Sequence, residues 1–152
     1  MTYTEDSGQS FNLVQSHAIL RFLAKRHNFY GTSEHEEIMI DIAMGGVGDM
    51  RSKYSKLAYD PAVHTDPSIL DEYKQKYLPV WLGHFERLLL KAGHEYFGGS
   101  TFSVADLLVF DILDHNLRVD PGCLDSFPTL DAFHINIGHK HGVWQCVHSC
   151  SA

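Results

Sequence analysis

The feature that most constrains the fold is a helix that begins at Ser103 and is apolar on nearly every side. Ser103 and Asp106 stand three residues apart in a capping-box pattern, and Phe102 and Leu107 flank them as a hydrophobic staple. The helix that follows carries a run of large apolar residues, Leu107, Leu108, Val109, Phe110, Ile112 and Leu113. Because such a helix has no face suited to water, we expect it at the centre of a helical bundle.

Two further helix starts precede it. The Ser16 hydroxyl is a candidate cap for a helix that ends near Gly31. Ser33 and Glu36 form a second capping-box pattern, before a long amphipathic segment that reaches about Tyr59. The apolar stripe of that long helix consists of Ile40, Met44, Val47, Tyr54 and Ala58.

Two prolines open the remaining helices. Asp66 followed by Pro67 is a cap with proline at the first helical position, and the apolar period continues past Pro79, which should bend the helix without ending it. Its predicted buried side consists of Leu70, Tyr73, Tyr77, Trp81, His84 and Leu88. Pro128 begins a shorter helix, and a last segment from about Lys140 follows. Their apolar residues are Leu130, Phe133 and Ile137, and then Val143, Trp144 and Val147.

The first fourteen residues differ from the rest of the chain. Turn-forming residues from Glu5 to Gly8 separate two extended segments, the second of which is the run Phe11 to Val14. A hairpin followed by five or six helices predicts a mainly α fold, a helical bundle with an attached β-hairpin.

Composition narrows the classes of partner. The 152 residues carry a formal charge of −7, with 12 Lys and Arg against 19 Asp and Glu, which argues against nucleic acid or an anionic membrane as partner. No continuous apolar stretch of about 18 residues occurs, and the segment from Met1 to Ser10 is polar and acidic, unlike a signal peptide. We therefore expect a cytoplasmic protein without direct membrane insertion. The three cysteines, Cys123, Cys146 and Cys150, are expected to be thiols.

The C-terminal segment concentrates metal-binding residue types, namely His139, His141, Cys146, His148 and Cys150. Spacings of two along a helix place side chains on diverging faces, and no C-x-x-C or H-x-x-x-H unit is present. The sequence therefore predicts no metal site here.

Three separate stretches resemble glutathione transferases of the pi, mu and sigma type, and the pi class in particular. They are Gln15 to Leu23, which is similar to the glutamine-serine helix start of that family, Asp41 to Tyr54, which is similar to its long dimer-interface helix, and Asp120 to Pro128. The resemblance implies that residues 1–30 are a remnant of the thioredoxin-like glutathione-binding domain, a hairpin plus a helix. It implies that residues 31–152 are the all-helical C-terminal domain.

The resemblance also assigns roles to individual residues. Gln15 and Ser16 match the helix start that binds the γ-glutamyl carboxylate of glutathione, and Asp49 matches the carboxylate that reaches its ammonium group across the dimer interface. Tyr59 matches a tyrosine of the hydrophobic substrate site. The residues alone leave simpler interpretations open, namely a helix cap, a solvated helix charge and a core or interface tyrosine. Gly45 also stands where the family pattern has an acidic residue.

Two more assignments follow from the family pattern. Ser103 and Asp106 match its structural capping motif. The family activates the glutathione thiol with a hydroxyl, usually tyrosine, on the first strand of the thioredoxin-like domain, and we expect that strand to be missing here. Tyr3 precedes Gln15 by only 12 residues and falls on a later strand, so no catalytic residue is assigned.

Three functions remain open at this stage. The first is a glutathione transferase-like protein that keeps part of the glutathione half-site and the dimer and hydrophobic-site helices but does not conjugate glutathione by itself. The second is a structural or scaffold subunit of a larger assembly. The third is an active conjugating enzyme, if the missing N-terminal segment is supplied. No cofactor is expected, glutathione is a candidate ligand, and the partner is a second copy or a larger assembly.

Overall fold

A computed structural model of the chain describes residues 1–5, 7–93, 95–140 and 143. The described part contains a two-stranded antiparallel sheet and six α-helices, which confirms the predicted mainly α fold. The strands are β1 (Thr2–Thr4) and β2 (Ser10–Asn12), and the helices are α1 (Ser16–Arg26), α2 (Glu34–Tyr59), α3 (Pro67–Glu72), α4 (Leu78–Ala92), α5 (Val104–Val119) and α6 (Pro128–Lys140). A 3₁₀-helix spans Pro61–His64, and a π-helical turn spans Tyr73–Tyr77.

The apolar helix α5 lies at the centre of the bundle, as its sequence predicts. It packs against α1, α2 and α6, while α4 packs against α2 and α6. Val109, Ile112 and Leu113 are completely buried. This packing explains why α5 has apolar residues around almost its whole circumference.

The π-helical turn displaces the buried face of the following helix by one residue. Tyr73 is buried as predicted, but His84 is exposed and Tyr77 is 41% exposed. The buried positions of α4 are instead Leu78, Leu82, Phe85 and Leu89, each one residue beyond a predicted position. A π-helical turn holds one more residue than an α-helical turn, so it rotates everything that follows. Pro79 lies just after it and cannot donate a backbone hydrogen bond, which accounts for the irregularity at this place.

Helix α1 is shorter than its sequence predicts. Ser16 is its first helical residue and Gln15 is the cap, so the prediction that Ser16 caps the helix is wrong. The helix ends at Arg26, well before Gly31, because Asn28 takes up a left-handed conformation with φ 56°. Left-handed backbone is a common way for a helix to end.

The hairpin rests on α1 through a cluster of aromatic rings. Tyr3 pairs with Phe11 across the hairpin, with ring centres 5.2 Å apart, and its ring centre lies 4.7 Å from that of Phe22 on α1. Both contacts have edge-to-face geometry, which aromatic quadrupoles favour. The guanidinium of Arg26 lies over the Tyr3 ring and also donates a hydrogen bond to its hydroxyl.

Helix α2 begins at the predicted cap with one difference. The Ser33 hydroxyl accepts a hydrogen bond from the Glu36 backbone N–H at 3.3 Å, but the Glu36 carboxylate binds the N–H and the hydroxyl of Thr32. The predicted stripe is buried in the first half of the helix. Toward the end of the helix the stripe is less buried, since Tyr54 is half-buried and Ala58 is exposed. In the last predicted segment, Val143 packs against the core, and Trp144 and Val147 lie outside the described residues.

Candidate functional site

The start of α1 is exposed and has an unusual backbone conformation. Gln15 precedes the helix with φ 71° and ψ 119°, a conformation that residues with a side chain rarely adopt. Its side chain does not cap the helix, and both Gln15 and Ser16 are exposed. The N–H groups of the first turn have no partner within the helix, and together with the helix dipole they favour a bound carboxylate.

Asp49 lies on α2 next to the place where the first turn of α1 makes contact. The Cε1 atom of the His17 ring is 3.0 Å from the position that a Cβ atom on Gly48 would occupy, so a side chain at Gly48 would require this ring to shift by a few tenths of an ångström. Asp49 follows Gly48 directly and is exposed. His17 of α1 and Gly48 of α2 therefore lie close together, and Ser16 and Asp49 are their neighbours in the sequence.

A polar cluster fixes α1 against α2. The Arg21 Nε donates to the Asp41 carboxylate at 2.7 Å and to the Tyr30 hydroxyl at 3.0 Å, and that hydroxyl donates to Asp41 at 2.5 Å. Burial, together with this hydrogen bond to Asp41, raises the pKa of Tyr30 to about 12. The cluster stays ionised around Arg21 and Asp41, and it holds the orientation of the α1 start.

Tyr59 is the last residue of α2, and its side chain is 86% exposed. The sequence left a core or interface tyrosine open as its role, and within this chain it is not a core residue. An exposed aromatic ring at the end of a helix is available to contact a ligand or a partner.

Ser103 and Asp106 form the capping box at the start of α5, and both are fully buried. The Asp106 carboxylate accepts from the Ser103 N–H at 2.7 Å, from the Ser103 hydroxyl at 2.8 Å and from the Phe97 N–H at 2.8 Å. The contact with Phe97 ties the loop before α5 to the helix. Burial raises the pKa of Asp106 to about 6, although these three donors pull it down.

Tyr3 and Cys123 are two residues whose side chains are relevant to thiol chemistry. Tyr3, the tyrosine that the sequence analysis rejected as catalytic, has its hydroxyl bound to Arg26. Burial raises the pKa of the Cys123 thiol to about 11, so it is protonated at neutral pH and is not a nucleophile. Among the described residues, no three His, Cys, Asp or Glu side chains form a metal-binding group. His141, Cys146, His148 and Cys150 of the predicted cluster lie outside the described residues.

Sequence reasoning missed an apolar groove between α2 and α4. The groove has a volume of about 290 Å³, and its lining residues are Ile42, Gly46, Trp81, His84, Phe85 and Leu88. Ile38 and Ile42 are half exposed, at 50% and 52%, on a side of α2 away from the buried stripe. The sequence did indicate such a groove, because apolar residues on two sides of one helix indicate that two surfaces pack against it.

Comparisons with known proteins agree with this arrangement of helices. Residues 48–144 match the family model described as Glutathione S-transferase, C-terminal domain. The structure matches that of a pi-class glutathione S-transferase of Onchocerca volvulus with a TM-score of 0.81 and 33% identity. That match covers 95% of this chain and 67% of the other. The helical part of the chain thus has the fold of a glutathione transferase C-terminal domain.

Sequence relatives extend the match. The chain is 41% identical over 125 residues to Glutathione S-transferase P 1 of Bufo bufo, covering 81% of this chain and 57% of the relative. It is 37% identical over 122 residues to Glutathione S-transferase Mu 3 of Homo sapiens, covering 80% and 51%. The chain therefore belongs to the glutathione transferase family, and it spans somewhat more than half the length of these relatives. Within the described part of the chain, no helix is long and apolar enough to span a membrane.

Proposed function

We propose that this chain is a cytoplasmic glutathione transferase-like protein that does not conjugate glutathione by itself. In this proposal it keeps part of the glutathione half-site, formed by Gln15, Ser16 and Asp49. It also keeps the helices that form the dimer and the hydrophobic site, the latter represented by Tyr59. Residues 1–30 act as the remnant of the glutathione-binding domain, and residues 31–152 as the helical domain.

The proposal rests on one contrast: the start of α1 is exposed, whereas the Tyr3 hydroxyl is already bound to Arg26. The first turn of α1 offers N–H groups beside a strained Gln15, which supports binding of a carboxylate. Conjugation also needs a donor aimed at the sulfur to stabilise the thiolate. The Tyr3 hydroxyl is engaged by Arg26 within the aromatic cluster of the hairpin, so it does not fill this role.

Glutathione is expected to bind this chain only weakly, with a dissociation constant in the millimolar range. A helix start stabilises a carboxylate by about 2 kcal/mol at most, and a dissociation constant of about 1 mM corresponds to about 4 kcal/mol of binding. Isothermal titration of the native protein with glutathione measures this affinity, and Ser52→Ala, an exposed serine on α2, is the matched control for Ser16→Ala. Micromolar binding that Ser16→Ala abolishes and Ser52→Ala preserves would show that the half-site is complete.

The apolar groove between α2 and α4 supports a second copy of the chain as partner. Introducing a charge there, as Ile42→Asp, is expected to convert a dimer into a monomer because an unpaired charge in an apolar contact is costly. Ile135 on α6 is similarly exposed, at 46%, so Ile135→Asp should keep the dimer. Native mass spectrometry of the three proteins measures this. A monomeric wild-type protein, or an Ile42→Asp variant that stays dimeric, contradicts the assignment of the groove.

The same mass measurement addresses the structural alternative. A native mass above twice that of the chain, with other proteins in stoichiometric amounts, would favour a structural or scaffold subunit of a larger assembly. The two open edges of the short hairpin support this alternative, because a two-stranded sheet is marginal in water. The remaining alternative is a conjugating enzyme that needs an N-terminal segment supplied in addition to this chain.

A further inference from the structure

A second concave pocket lies at the other end of α2, where α2 meets the 3₁₀-helix, α3 and the end of α5. Its volume is about 340 Å³, and its lining residues are Tyr54, Leu57, Ala58, Val63, Leu70, Arg118 and Val119. That size is within the usual range for small-molecule sites, about 300–1,000 Å³. Neither the half-site residues nor Tyr59 belong to its lining.

The walls of this pocket are apolar and still accessible to water. Leu57, Val63, Leu70 and Val119 are each only partly buried, although they face one concavity. An apolar molecule that covers them would remove this surface from water, which stabilises the complex by roughly 25 cal/mol per Å². The walls therefore favour a ligand with an apolar body.

The polar part of the pocket is a single cation at its rim. Arg118 is the one charged side chain among the described lining residues. Its Nη2 donates to Asp114 at 2.8 Å, and its side chain is 63% exposed. A guanidinium has five N–H donors, so one bond to Asp114 leaves others to reach a ligand at the rim. A carboxylate matches this planar donor group.

The shape of the pocket is held by contacts outside it. The Tyr54 ring packs edge to face on His115 of α5, with ring centres 5.6 Å apart. The Asp60 side chain caps the 3₁₀-helix, accepting from the Ala62 N–H at 2.9 Å, and the Asp66 side chain caps α3. Because these contacts already fix the walls, less conformational entropy is lost when a ligand binds.

We propose that this pocket binds a small aromatic or aliphatic monocarboxylate. The apolar body of the ligand lies against Leu57, Val63 and Leu70, and its carboxylate accepts hydrogen bonds from Arg118. Its lining includes none of the half-site residues and does not include Tyr59. It gives the chain a binding function that does not depend on conjugation.

The test compares two probes of the same shape by isothermal titration of the full chain, 2-naphthoate and the neutral 2-naphthylmethanol. The wild-type protein should bind naphthoate more tightly than the alcohol. Arg118→Gln should weaken naphthoate binding by about five- to tenfold and leave the alcohol unchanged, because it removes only the charged contact. Lys56→Gln is the matched control, since Lys56 is an exposed cation of α2 outside this lining.

Two variants that fill the pocket with a large side chain test whether the probes bind there. Ala58→Trp and Val63→Trp place a large ring in the pocket and should each weaken both probes more than about tenfold, with unchanged helical circular dichroism. Tyr59→Ala should leave both affinities unchanged. No naphthoate binding by the wild-type protein, equal affinity for the two probes, or loss of binding in Tyr59→Ala but not in the filling variants would each overturn the proposal.

Discussion

Replacing Asp106 with alanine is expected to lower the free energy of unfolding by about 3–5 kcal/mol, because it removes the acceptor of three buried hydrogen bonds. The N–H groups of Ser103 and Phe97 would lose their partner at 2.7 and 2.8 Å in a region closed to water. Urea unfolding measures the change. Refolding should also be slower, provided that the start of α5 forms early in folding.

Two matched variants separate this effect from simple loss of charge. Asp71→Ala removes an exposed carboxylate on α3 and should change stability by less than about 0.5 kcal/mol. Asp106→Asn keeps one acceptor oxygen, enough for Ser103, but turns its NH2 group toward the Phe97 N–H, so its cost should lie between those of Asp71→Ala and Asp106→Ala. Equal midpoints for Asp106→Ala and Asp71→Ala would mean that Ser103 does not begin a buried helix.

The pH dependence of the Asn variant provides a second readout of the same site. The pKa of Asp106 is about 6 in the folded protein and about 4 in an unfolded chain. The folded state therefore binds a proton that the unfolded state has released between these values. The stability that proton binding to this carboxyl contributes is present below about pH 4 and is lost as the pH rises through 6. The hydrogen bonds that the side chain accepts are a separate contribution. The stability difference between wild type and Asp106→Asn should fall by about 2–3 kcal/mol over that range.

Replacing Phe97 with alanine is expected to destabilise the protein by a similar amount, about 3–5 kcal/mol. Phe97 is completely buried in the loop between α4 and α5. Its ring packs edge to face on Phe133 of α6, at 5.1 Å between centres, and on Phe85 of α4, at 6.0 Å. Its removal leaves a cavity at the contact between these two helices, which the rigid surroundings fill only in part.

Thermal or urea unfolding checks the Phe97 prediction against two other substitutions. Phe97→Leu keeps most of the volume and should cost less than alanine. Phe11→Ala removes a ring of the hairpin that is 38% exposed and should have a small effect on the bundle. A Phe97→Ala protein as stable as Phe11→Ala would show that the loop is not part of the core.

Local signals in the sequence were sufficient for much of the fold. The start of α5 and its central position follow from the capping pattern at Ser103 and from the apolar residues after it, because both causes lie within one helix. The start of α6 at Pro128 follows in the same way. The stripe of α4 was misplaced because a π-helical turn adds a residue that periodicity does not reveal.

Long-range contacts could not be predicted from the sequence. The Glu86 carboxylate on α4 accepts from the N–H groups of Thr129 and Leu130 at 3.1 and 2.8 Å, and so caps α6 from another helix. Phe97 gave no signal because a single aromatic residue in a loop has no period. For the site, the resemblance named Gln15, Ser16 and Asp49, but the strained backbone at Gln15 and the contact of His17 with Gly48 emerge only from the fold.

The most direct test of the proposed function is an assay of conjugation by the chain itself. Purified protein, with its sequence confirmed by intact mass, is mixed with glutathione and 1-chloro-2,4-dinitrobenzene, and the thioether product is followed by its absorbance. We expect a rate equal to the uncatalysed reaction at every glutathione concentration, because the Tyr3 hydroxyl is bound to Arg26 and does not act as a donor to the thiolate. Turnover that saturates with glutathione and is lost in Ser16→Ala would contradict the proposal and identify this chain as a conjugating enzyme.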